Sequence, residues 1–390
     1  FHEAAPRAEA AAAYGTPATI LAAVEANFAH FPPAATNAES LAALHAWSRA
    51  EYRRQRKTFA QRKAAGFVRE CHGDLHLGNL LLSGGEPLAF DGIEFNPGLR
   101  WIDVISDLAF LVMDLAVHGR ADHAWLLLNG WLEETGDHAG LALLTFYQAY
   151  RAMVRAKVAH LQAACAGIPA LERDAALASA ATYLAYARSL TAPQARALLI
   201  THGLSGTGKT TLARTIAAAL PAVCLRSDVE RKRLHGLAAL APSGSAGGAG
   251  LYAESATVAT YERLAELARL VLRAGHPVIV DAACLKRWQR QLFQDLARQA
   301  GVPFLIINCQ GPESVLRQRI RARARQKRDA SEATLAVLAQ QRQDQDPLSP
   351  AERALSLTVD TTRHAIDPGL SEIRRRLAAH ESDAPTTPPG

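Results

Sequence analysis

Residues 202–211 read HGLSGTGKTT, and this stretch decides the fold of the second half of the chain. Gly203, Gly208, Lys209 and Thr210 match the pattern G-x-x-x-x-G-K-T, between an apolar strand and a helical pattern. Glycines here let successive backbone N–H groups converge on phosphate oxygens, while the lysine adds a positive charge and the threonine hydroxyl can bind Mg²⁺. The stretch therefore predicts a loop that holds ATP. The residues expected to contact the nucleotide are Gly203, Leu204, Ser205, Gly206, Thr207, Gly208, Lys209, Thr210 and Thr211.

Short apolar strands separated by helical patterns surround this loop. The candidate strands are ALLITH, AVCLRS, HPVIVDA, PFLIINC and LSLTVDT. Continuously apolar runs such as Phe304 to Ile307 are typical of parallel strands that are covered on both faces. The pattern predicts a doubly wound α/β domain.

Two carboxylates follow predicted strands of this domain, at the sheet edge where open α/β proteins bind ligands. Asp228, in LRSDVERKR, is a candidate catalytic residue that takes a proton from a substrate hydroxyl. Asp281 ends PVIVDA and is expected to bind Mg²⁺ together with Thr210. A helix cap at Ser227 or Asp228, and a strand-end cap at Asp281, are the structural alternatives.

Residues 314–329 read SVLRQRIRARARQKRD, with seven basic residues and no acid before the final aspartate. Like charges three and four apart destabilise a helix, so an anion is expected to compensate them. We interpret the segment as a lid over ATP and expect Arg321 and Arg325 to be its inward-facing catalytic pair. A solvated basic face is the alternative, and the lack of interleaved aromatic residues argues against a nucleic-acid surface.

Five stretches of this half resemble the small P-loop kinases of the adenylate-kinase-like group, in particular zeta-toxin-like and polynucleotide-kinase-like ATPases with an AAA-type ATP-binding domain. They are, in order, GLSGTGKTT, SDVERKRL, GLYAESATVATYERL, VIVDAACLKRWQR and the arginine-rich segment followed by DASEATLAVL. The resemblance covers residues 197–378 and implies a five-stranded parallel sheet, an ATP–Mg²⁺ site and phosphoryl transfer to a hydroxyl. It implies for Asp228 the position of the substrate-activating aspartate.

A second motif, CHGDLHLGNLLL, stands earlier, at residues 71–82. Asp74 and Asn79 have the D-x-x-x-x-N spacing of a protein-kinase catalytic loop, His72 precedes them, and Asp91 follows across a predicted hairpin with SGGEP at its turn. This spacing suits Asp74 to accept a hydroxyl proton while Asn79 and Asp91 bind Mg²⁺. Asp103 and Asp107 are expected to fix the loop from the following helix.

This motif, with LAFDGIEFNPGLRWIDVISDLAFL, resembles the aminoglycoside phosphotransferase and choline kinase group, to whose pattern His76 also belongs. The resemblance covers residues 1–190 and implies an α+β, largely helical kinase C-lobe. Such kinases also need a strand-rich N-terminal lobe with a lysine, which the residues before His72 do not supply. The opening FHEAAPRAEA, which lacks a methionine, favours a longer natural chain; if the lobe is absent, the first site is expected to bind ATP poorly.

Together the motifs predict a bifunctional, ATP- and Mg²⁺-dependent phosphotransferase that acts on a hydroxyl of a small molecule, possibly sugar- or aminoglycoside-like. The predicted order is a C-lobe-like domain (1–190), a linker (191–196), a P-loop domain (197–378) and a disordered tail (379–390). Five unpaired cysteines and the lack of an 18-residue apolar run predict a cytoplasmic protein without a membrane partner. The alternatives are a regulatory ATP-binding protein without catalysis and a nucleic-acid end kinase, and the oligomeric state stays open.

Overall fold

The computed structural model describes residues 1–31, 38–242, 251, 253–326, 329–362 and 367–382. The chain divides into two units: unit 1 contains Phe1–Leu128 and Ala139–Gln194, and unit 2 contains Asn129–His138 and Ala195–Gly390. The division after Gln194 falls within residues 191–196, the stretch that composition suggested as a linker. The assignment of Asn129–His138 to unit 2 was not predicted.

Unit 1 is mainly helical, because apolar residues recur three and four positions apart through most of its length. Phe110 and Met113 of one helix pack with Met153 and Tyr183 of two later ones to form its core. The helices that begin before Ala195 are α1 Pro17–Ala29, α2 Ala38–Ala64, α3 Pro97–Arg100, α4 Val104–Val117, α5 Ala121–Thr135, α6 Leu141–Ala163 and α7 Ala170–Ser189. The final residues of α5 are grouped with unit 2.

Four short strands of unit 1 flank the first motif. Strands β1 (Val68–Glu70) and β4 (Trp101–Asp103) pair antiparallel, and β2 (Leu80–Ser83) and β3 (Glu86–Ala89) form the predicted hairpin. A 3-10 turn at Leu77–Asn79 joins the motif to β2. The motif loop therefore lies between β1 and the hairpin, while the identification of unit 1 as a kinase C-lobe stays a prediction.

Unit 2 contains the predicted five-stranded parallel sheet. Its strands are β5 Leu198–His202, β6 Val223–Arg226, β7 Val278–Asp281, β8 Phe304–Gln310 and β9 Ser356–Asp360, in the spatial order β6-β7-β5-β8-β9. Strands β5, β6 and β7 are buried at every residue, as their continuous apolar composition predicts. Because all five run parallel, the carboxyl ends of β5, β6 and β7 bring the predicted site residues to one edge.

Helices of unit 2 cover this sheet, and Leu212, Ile216 and Ile373 pack against the strand residues Leu199 and Ile307. The helices are α8 Lys209–Ala219, α9 Ser227–Leu234, α10 Glu254–Arg273, α11 Arg287–Ala300, α12 Glu313–Gln326, α13 Leu335–Asp344, α14 Pro350–Ala354 and α15 Asp367–Ser382. Since α15 continues to Ser382, the prediction that a disordered tail begins at residue 379 is wrong for residues 379–382; residues 383–390 lie outside the described part. Within the described residues, no helix combines the length and apolar character that a membrane span requires.

Candidate functional site

The loop between β5 and α8 has the backbone conformation of a phosphate-binding loop. Gly203 has a φ of 145° and Gly206 a φ of 86°. A Cβ atom on Gly203 would lie 2.5 Å from the carbonyl oxygen of Cys309, and one on Gly206 would lie 2.7 Å from that of Leu316. Because both neighbours are backbone atoms, neither position accepts a larger residue without a main-chain shift. Helix α8 then begins at Lys209, so the positive end of its dipole lies at the loop.

Lys209 turns its ammonium group back onto this loop. Its Nζ donates hydrogen bonds to the carbonyl oxygens of Gly203 and Leu204, both at 2.8 Å. Burial lowers the pKa of Lys209, although the nearby carboxylates of Asp281 and Asp228 act in the opposite direction. Since burial without a full counter-charge disfavours the ammonium ion, an anion that enters the loop stabilises it. The position suits a triphosphate.

Thr210 and Asp281 meet at the edge of the sheet. Asp281 ends β7 and is 5% exposed, and the interaction with Thr210 acts to lower the pKa of its carboxyl. Burial raises the pKa of Asp281, against the opposing effects of Arg226, Thr210 and Lys209. A hydroxyl and a carboxylate are hard oxygen donors of the kind that Mg²⁺ prefers, so these two residues fit the predicted metal position.

Asp228 lies in the first turn of α9 and lines the same cavity as Lys209 and Asp281. The structural alternative required Ser227 or Asp228 to be the N-cap of α9. The N-cap position is instead occupied by Arg226, whose side chain makes no cap hydrogen bond. Arg231 follows three residues later, so it shares a helix face with Asp228, and it also lines the cavity. The Asp228 carboxylate is therefore available to a ligand rather than used as a cap.

The cavity has a volume of about 470 Å³ and is enclosed by residues of unit 2. Its walls are the phosphate-binding loop, the start of α9, the end of β7, the α12–α13 region and the residues after β9. Members from each wall are Gly206, Lys209, Asp228, Asp281, Arg319, Arg323, Ser331, Gln341 and Thr361. The structure thus brings together the predicted nucleotide, metal and base residues around one space.

The lid arginines face the opposite way from the prediction. Arg319 and Arg323 line the cavity, whereas Arg321 and Arg325 are exposed, so the prediction that Arg321 and Arg325 point inward is wrong. Arg319 donates to the Thr361 hydroxyl at 3.0 Å and to the Thr361 carbonyl at 2.8 Å, and Arg323 donates to the Ala333 carbonyl at 3.2 Å. Arg328, a further member of the basic segment, lies outside the described residues.

Two apolar residues explain this orientation. Leu316 and Ile320 of α12 are buried against Leu338 and pack with Leu204 of the phosphate-binding loop. Because residues 316, 319, 320 and 323 share one face of a helix, burial of the two apolar side chains turns Arg319 and Arg323 toward the loop. The apolar pair was the sequence signal that could have identified the inward face.

Gln341 is a further site residue that the motifs did not predict. Its Oε1 accepts a hydrogen bond from the backbone N–H of Ser205 at 2.8 Å, which ties α13 to the phosphate-binding loop. This contact is visible only in the folded chain, where α13 lies against the phosphate-binding loop. A glutamine in a helix gives no local signal for it.

In unit 1, the loop of the first motif brings Asp74 and Asn79 together. Asn79 Nδ2 donates to Asp74 Oδ2 at 3.1 Å and to the Asp74 carbonyl at 3.0 Å. His76 Nδ1 accepts the Gly78 N–H at 3.0 Å, and His76 Nε2 lies 3.3 Å from Asp74 Oδ2 and 3.2 Å from Arg155 Nη1. Burial pushes the pKa of Asp74 upward, but His76 and Arg155 outweigh that effect and lower the pKa overall. Asp74 is thus held as a carboxylate.

Asp91 lies beside this loop in a strained turn. It is exposed and has a φ of 59°, a conformation that Asp tolerates better than most residues. The residues on either side anchor the turn: the Phe90 carbonyl contacts His72 Nε2 at 2.9 Å, and the Ile93 N–H donates to the His72 carbonyl at 3.0 Å. Asp91 is therefore held next to the motif, as a metal ligand paired with Asn79 would require.

Two buried carboxylates of α4 hold the same loop from behind. Asp107 accepts the N–H groups of His72 and Gly73, and Asp114 accepts the Leu77 N–H at 2.9 Å. The expectation that Asp107 fixes the loop is therefore correct, whereas Asp103 instead binds Arg62 at 2.7 Å. Asp114 was not predicted, although its spacing of one heptad from Asp107 places both on one helix face.

Comparison with known proteins agrees with the geometry of unit 2. Residues 198–348 match the family model described as an AAA domain. The matched residues contain the phosphate-binding loop and strands β5 to β8. An uncharacterized protein of Mycobacterium tuberculosis and one of Mycobacterium bovis are each 34% identical over 314 residues, which is 79% of this chain. The chain spans 62% of the length of these relatives.

Solved kinases also share similarity with the chain. The APS kinase of Mycobacterium tuberculosis, in complex with AMPPNP and APS, is 24% identical, covers 48% of this chain and 99% of its own, and has a TM-score of 0.35. A gluconokinase of Sinorhizobium meliloti is 21% identical, covers 48% of this chain and 94% of its own, and has a TM-score of 0.32. Likeness at these scores carries no conclusion about activity.

Proposed function

We propose that unit 2 is an ATP-dependent phosphotransferase that moves the γ-phosphoryl group to a hydroxyl of a small molecule. The observation that carries the proposal is the single cavity lined by Lys209, Thr210, Asp228 and Asp281. Lys209 is a cation that can bind phosphate, Thr210 and Asp281 are oxygen donors that can bind a metal, and Asp228 is a carboxylate that does not serve as a helix cap. A phosphoryl transferase needs these groups around one space.

The roles follow from where each side chain lies. The Asp228 carboxylate accepts the proton of the acceptor hydroxyl as that oxygen attacks the γ-phosphorus, and the bond to the β-phosphate oxygen breaks to release ADP. Lys209 and the inward lid arginine Arg323 neutralise charge on the transferring group. Thr210 and Asp281 would hold Mg²⁺, which when bound supplies charge stabilisation to the phosphate oxygens.

The test is phosphoryl transfer by the full chain, followed by phosphorus NMR with a panel of amino sugars and polyols. Asp228→Asn is expected to reduce transfer by about 10² to 10⁴ while nucleotide binding is kept, because only the proton acceptor is lost. Asp295→Asn, a change on the outer helix α11, serves as the matched control. The change is made in the Asp74→Asn background so that unit 1 does not contribute, and unimpaired transfer by the Asp228→Asn variant would then exclude the base role.

The same panel separates the alternatives. Nucleotide binding and slow hydrolysis without transfer to any acceptor would favour a regulatory ATP-binding protein. Transfer to oligonucleotide ends, with steeply salt-dependent binding, would favour a nucleic-acid end kinase.

We propose in addition a second phosphotransferase site in unit 1, which makes the protein bifunctional. The hydrogen-bonded pair of Asp74 and Asn79, with Asp91 held beside His72, supports it. Asp74 would be the base, and Asn79 and Asp91 would hold Mg²⁺; the resemblance of the motif points to a sugar or aminoglycoside-like hydroxyl as acceptor. Asp74→Asn and Asp228→Asn are expected to abolish different products. Loss of the same product in both variants would instead show one shared reaction.

A further inference from the structure

The segment after the lid helix carries two acidic residues that bind cations at the β6–α9 corner. Asp329 Oδ1 lies 2.9 Å from Arg226 Nη2, and Glu332 Oε1 lies 3.0 Å from Lys232 Nζ. The side chains of Arg226 and Lys232 are 6% and 3% exposed, so both cations are buried. Of the two acids, Asp329 also lines the cavity. We call these two ion pairs the acidic latch.

Arg226 also contacts the metal-site carboxylate. Its Nε lies 3.6 Å from Asp281 Oδ2, and the two residues are direct neighbours in the pairing of β6 with β7. Its Nη1 lies 3.1 Å from Glu133 Oε2, which belongs to the same unit. One guanidinium is therefore shared among three carboxylates, and one of the three is the residue expected to hold Mg²⁺.

Sharing of this kind makes the contacts interdependent. A divalent cation on Asp281 neutralises that carboxylate and repels the guanidinium beside it. Arg226 then keeps Glu133 and Asp329 as its partners, so its pairing with Asp329 becomes stronger. The Glu332–Lys232 ion pair includes neither Arg226 nor Asp281, so it serves as the comparison for this exchange.

We propose that Arg226 couples metal occupancy at Asp281 to closure of residues 329–333 over the acceptor side of the cavity. The proposal rests on the proposed function of unit 2, because it takes Asp281 as the metal ligand. Arg226 and Lys232 stand on either side of Asp228 in the chain, and Ser331 and Ala333 line the cavity. Binding of Mg²⁺ at Asp281 thus stabilises the wall formed by residues 329–333 beside the proposed base. Arg226 acts as a positioning residue.

The test is hydrogen exchange of residues 329–333 in the full chain bound to a non-hydrolysable ATP analogue, with Mg²⁺ or with EDTA. In the wild type, Mg²⁺ is expected to slow this exchange by about fivefold or more, the lower end of a usual coupling between sites. Asp329→Asn should remove the Mg²⁺-dependent part. Since coupling is reciprocal, the same variant should weaken the Mg²⁺ dependence of nucleotide binding by the same factor, read by calorimetry.

Glu332→Gln is the matched control, because it breaks the other pair of the same segment. It is expected to speed exchange with and without Mg²⁺ and to leave the Mg²⁺-dependent slowing intact. Equal Mg²⁺-dependent slowing in Asp329→Asn and wild type would overturn the proposal, as would no slowing in the wild type. Neither hydrogen exchange nor calorimetry needs a phosphoryl acceptor. A failure to find phosphoryl transfer would therefore contradict the proposed function, while the coupling through Arg226 is judged from these two measurements.

Discussion

The phosphate-binding loop at residues 203–208 and the loop at residues 72–77 each have a buried carboxylate beside them, but the pKa values of the two carboxylates are shifted in opposite directions. Asp107 accepts two backbone N–H groups, and these contacts, with His2 and Arg151, lower its pKa despite burial. Asp281 also has cations and a hydroxyl near it, yet burial dominates and its pKa is raised. The hydrogen bonds and charges around Asp107 outweigh the effect of burial on its pKa, whereas those around Asp281 do not.

This difference indicates what each charge does. A carboxylate with a lowered pKa stabilises the fold when it is ionised, whereas one with a raised pKa costs folding free energy when it is ionised. Lys209 shows the same pattern as Asp281, because burial lowers its pKa. Buried groups whose charged form is disfavoured and that line a cavity are typical of functional sites. We therefore assign ligand binding to the groups at the phosphate-binding loop, and positioning of the loop at residues 72–77 to Asp107.

The sharpest way to break this comparison is to remove the cation of the phosphate-binding loop. Lys209→Ala is expected to lower phosphoryl transfer or ATP turnover by roughly a thousandfold, because a positioned donor to the transferring group is lost. The change should be made in the Asp74→Asn background of the full chain, so that unit 1 does not contribute. Lys57→Ala, on the exposed face of α2, is the control. Turnover within a few fold of the background would remove Lys209 from the mechanism.

The lid offers a second test, with a matched pair on one helix. Arg323→Ala is expected to lower kcat by about a hundredfold with a smaller change in nucleotide affinity, because a charge that faces the transferring group acts mainly in the transition state. Arg325→Ala, two residues away and exposed, is expected to change kcat by less than about twofold. Equal, small effects of both substitutions would mean that α12 is a solvated basic face.

The sheet and the phosphate-binding loop of unit 2 could be predicted from sequence because their signals are local. Five short candidate strands in the sequence correspond to the five strands of the sheet, although the edge strand β9 is only partly buried. One ten-residue stretch predicted the loop and the start of α8. Asp228 and Asp281 were identified as candidates for the same reason, since Asp228 lies just after β6 and Asp281 is the last residue of β7. The inward face of α12 could also have been predicted if Leu316 and Ile320 had been weighed above the arginines.

Other contacts had no local signal. Arg226 reads as an ordinary strand-end residue, and its link to Asp329 joins positions about a hundred residues apart. Asp114 reads as one polar residue in an apolar helix, and only the fold shows that it accepts the Leu77 N–H. Such contacts depend on which elements pack together, which periodicity does not determine. For Asp103 the local sequence was misleading. Its position before α4 suggested a contact with the motif loop, whereas its partner in the structure is Arg62.

The smallest expected effect, and the most direct test of the comparison, concerns stability. Asp107→Asn is expected to destabilise unit 1 by about 1 to 3 kcal/mol, because loss of the carboxylate charge weakens its hydrogen bonds to the buried loop N–H groups. Asp281→Asn is expected to stabilise unit 2 or leave it unchanged at pH 7, since an amide removes a charge that burial disfavours. Urea-dependent hydrogen exchange, read separately in residues 72–77 and in β5, measures each unit within the full chain.

The pH dependence of stability shows independently whether each carboxylate stabilises or destabilises its unit. The folded-state pKa of Asp107 is lowered, so its stabilising effect is present above the unfolded value of roughly 3.9 and is lost as the pH falls through the folded pKa. The folded-state pKa of Asp281 is raised, so its cost is present at neutral pH and is relieved as the pH falls through that pKa. As the pH falls, the loss of stability caused by Asp107→Asn and the gain of stability caused by Asp281→Asn should therefore both become smaller. If Asp281→Asn destabilised unit 2 at pH 7 as strongly as Asp107→Asn destabilises unit 1, the Asp281 carboxylate would be a structural group, and the contrast between the two loops would fail.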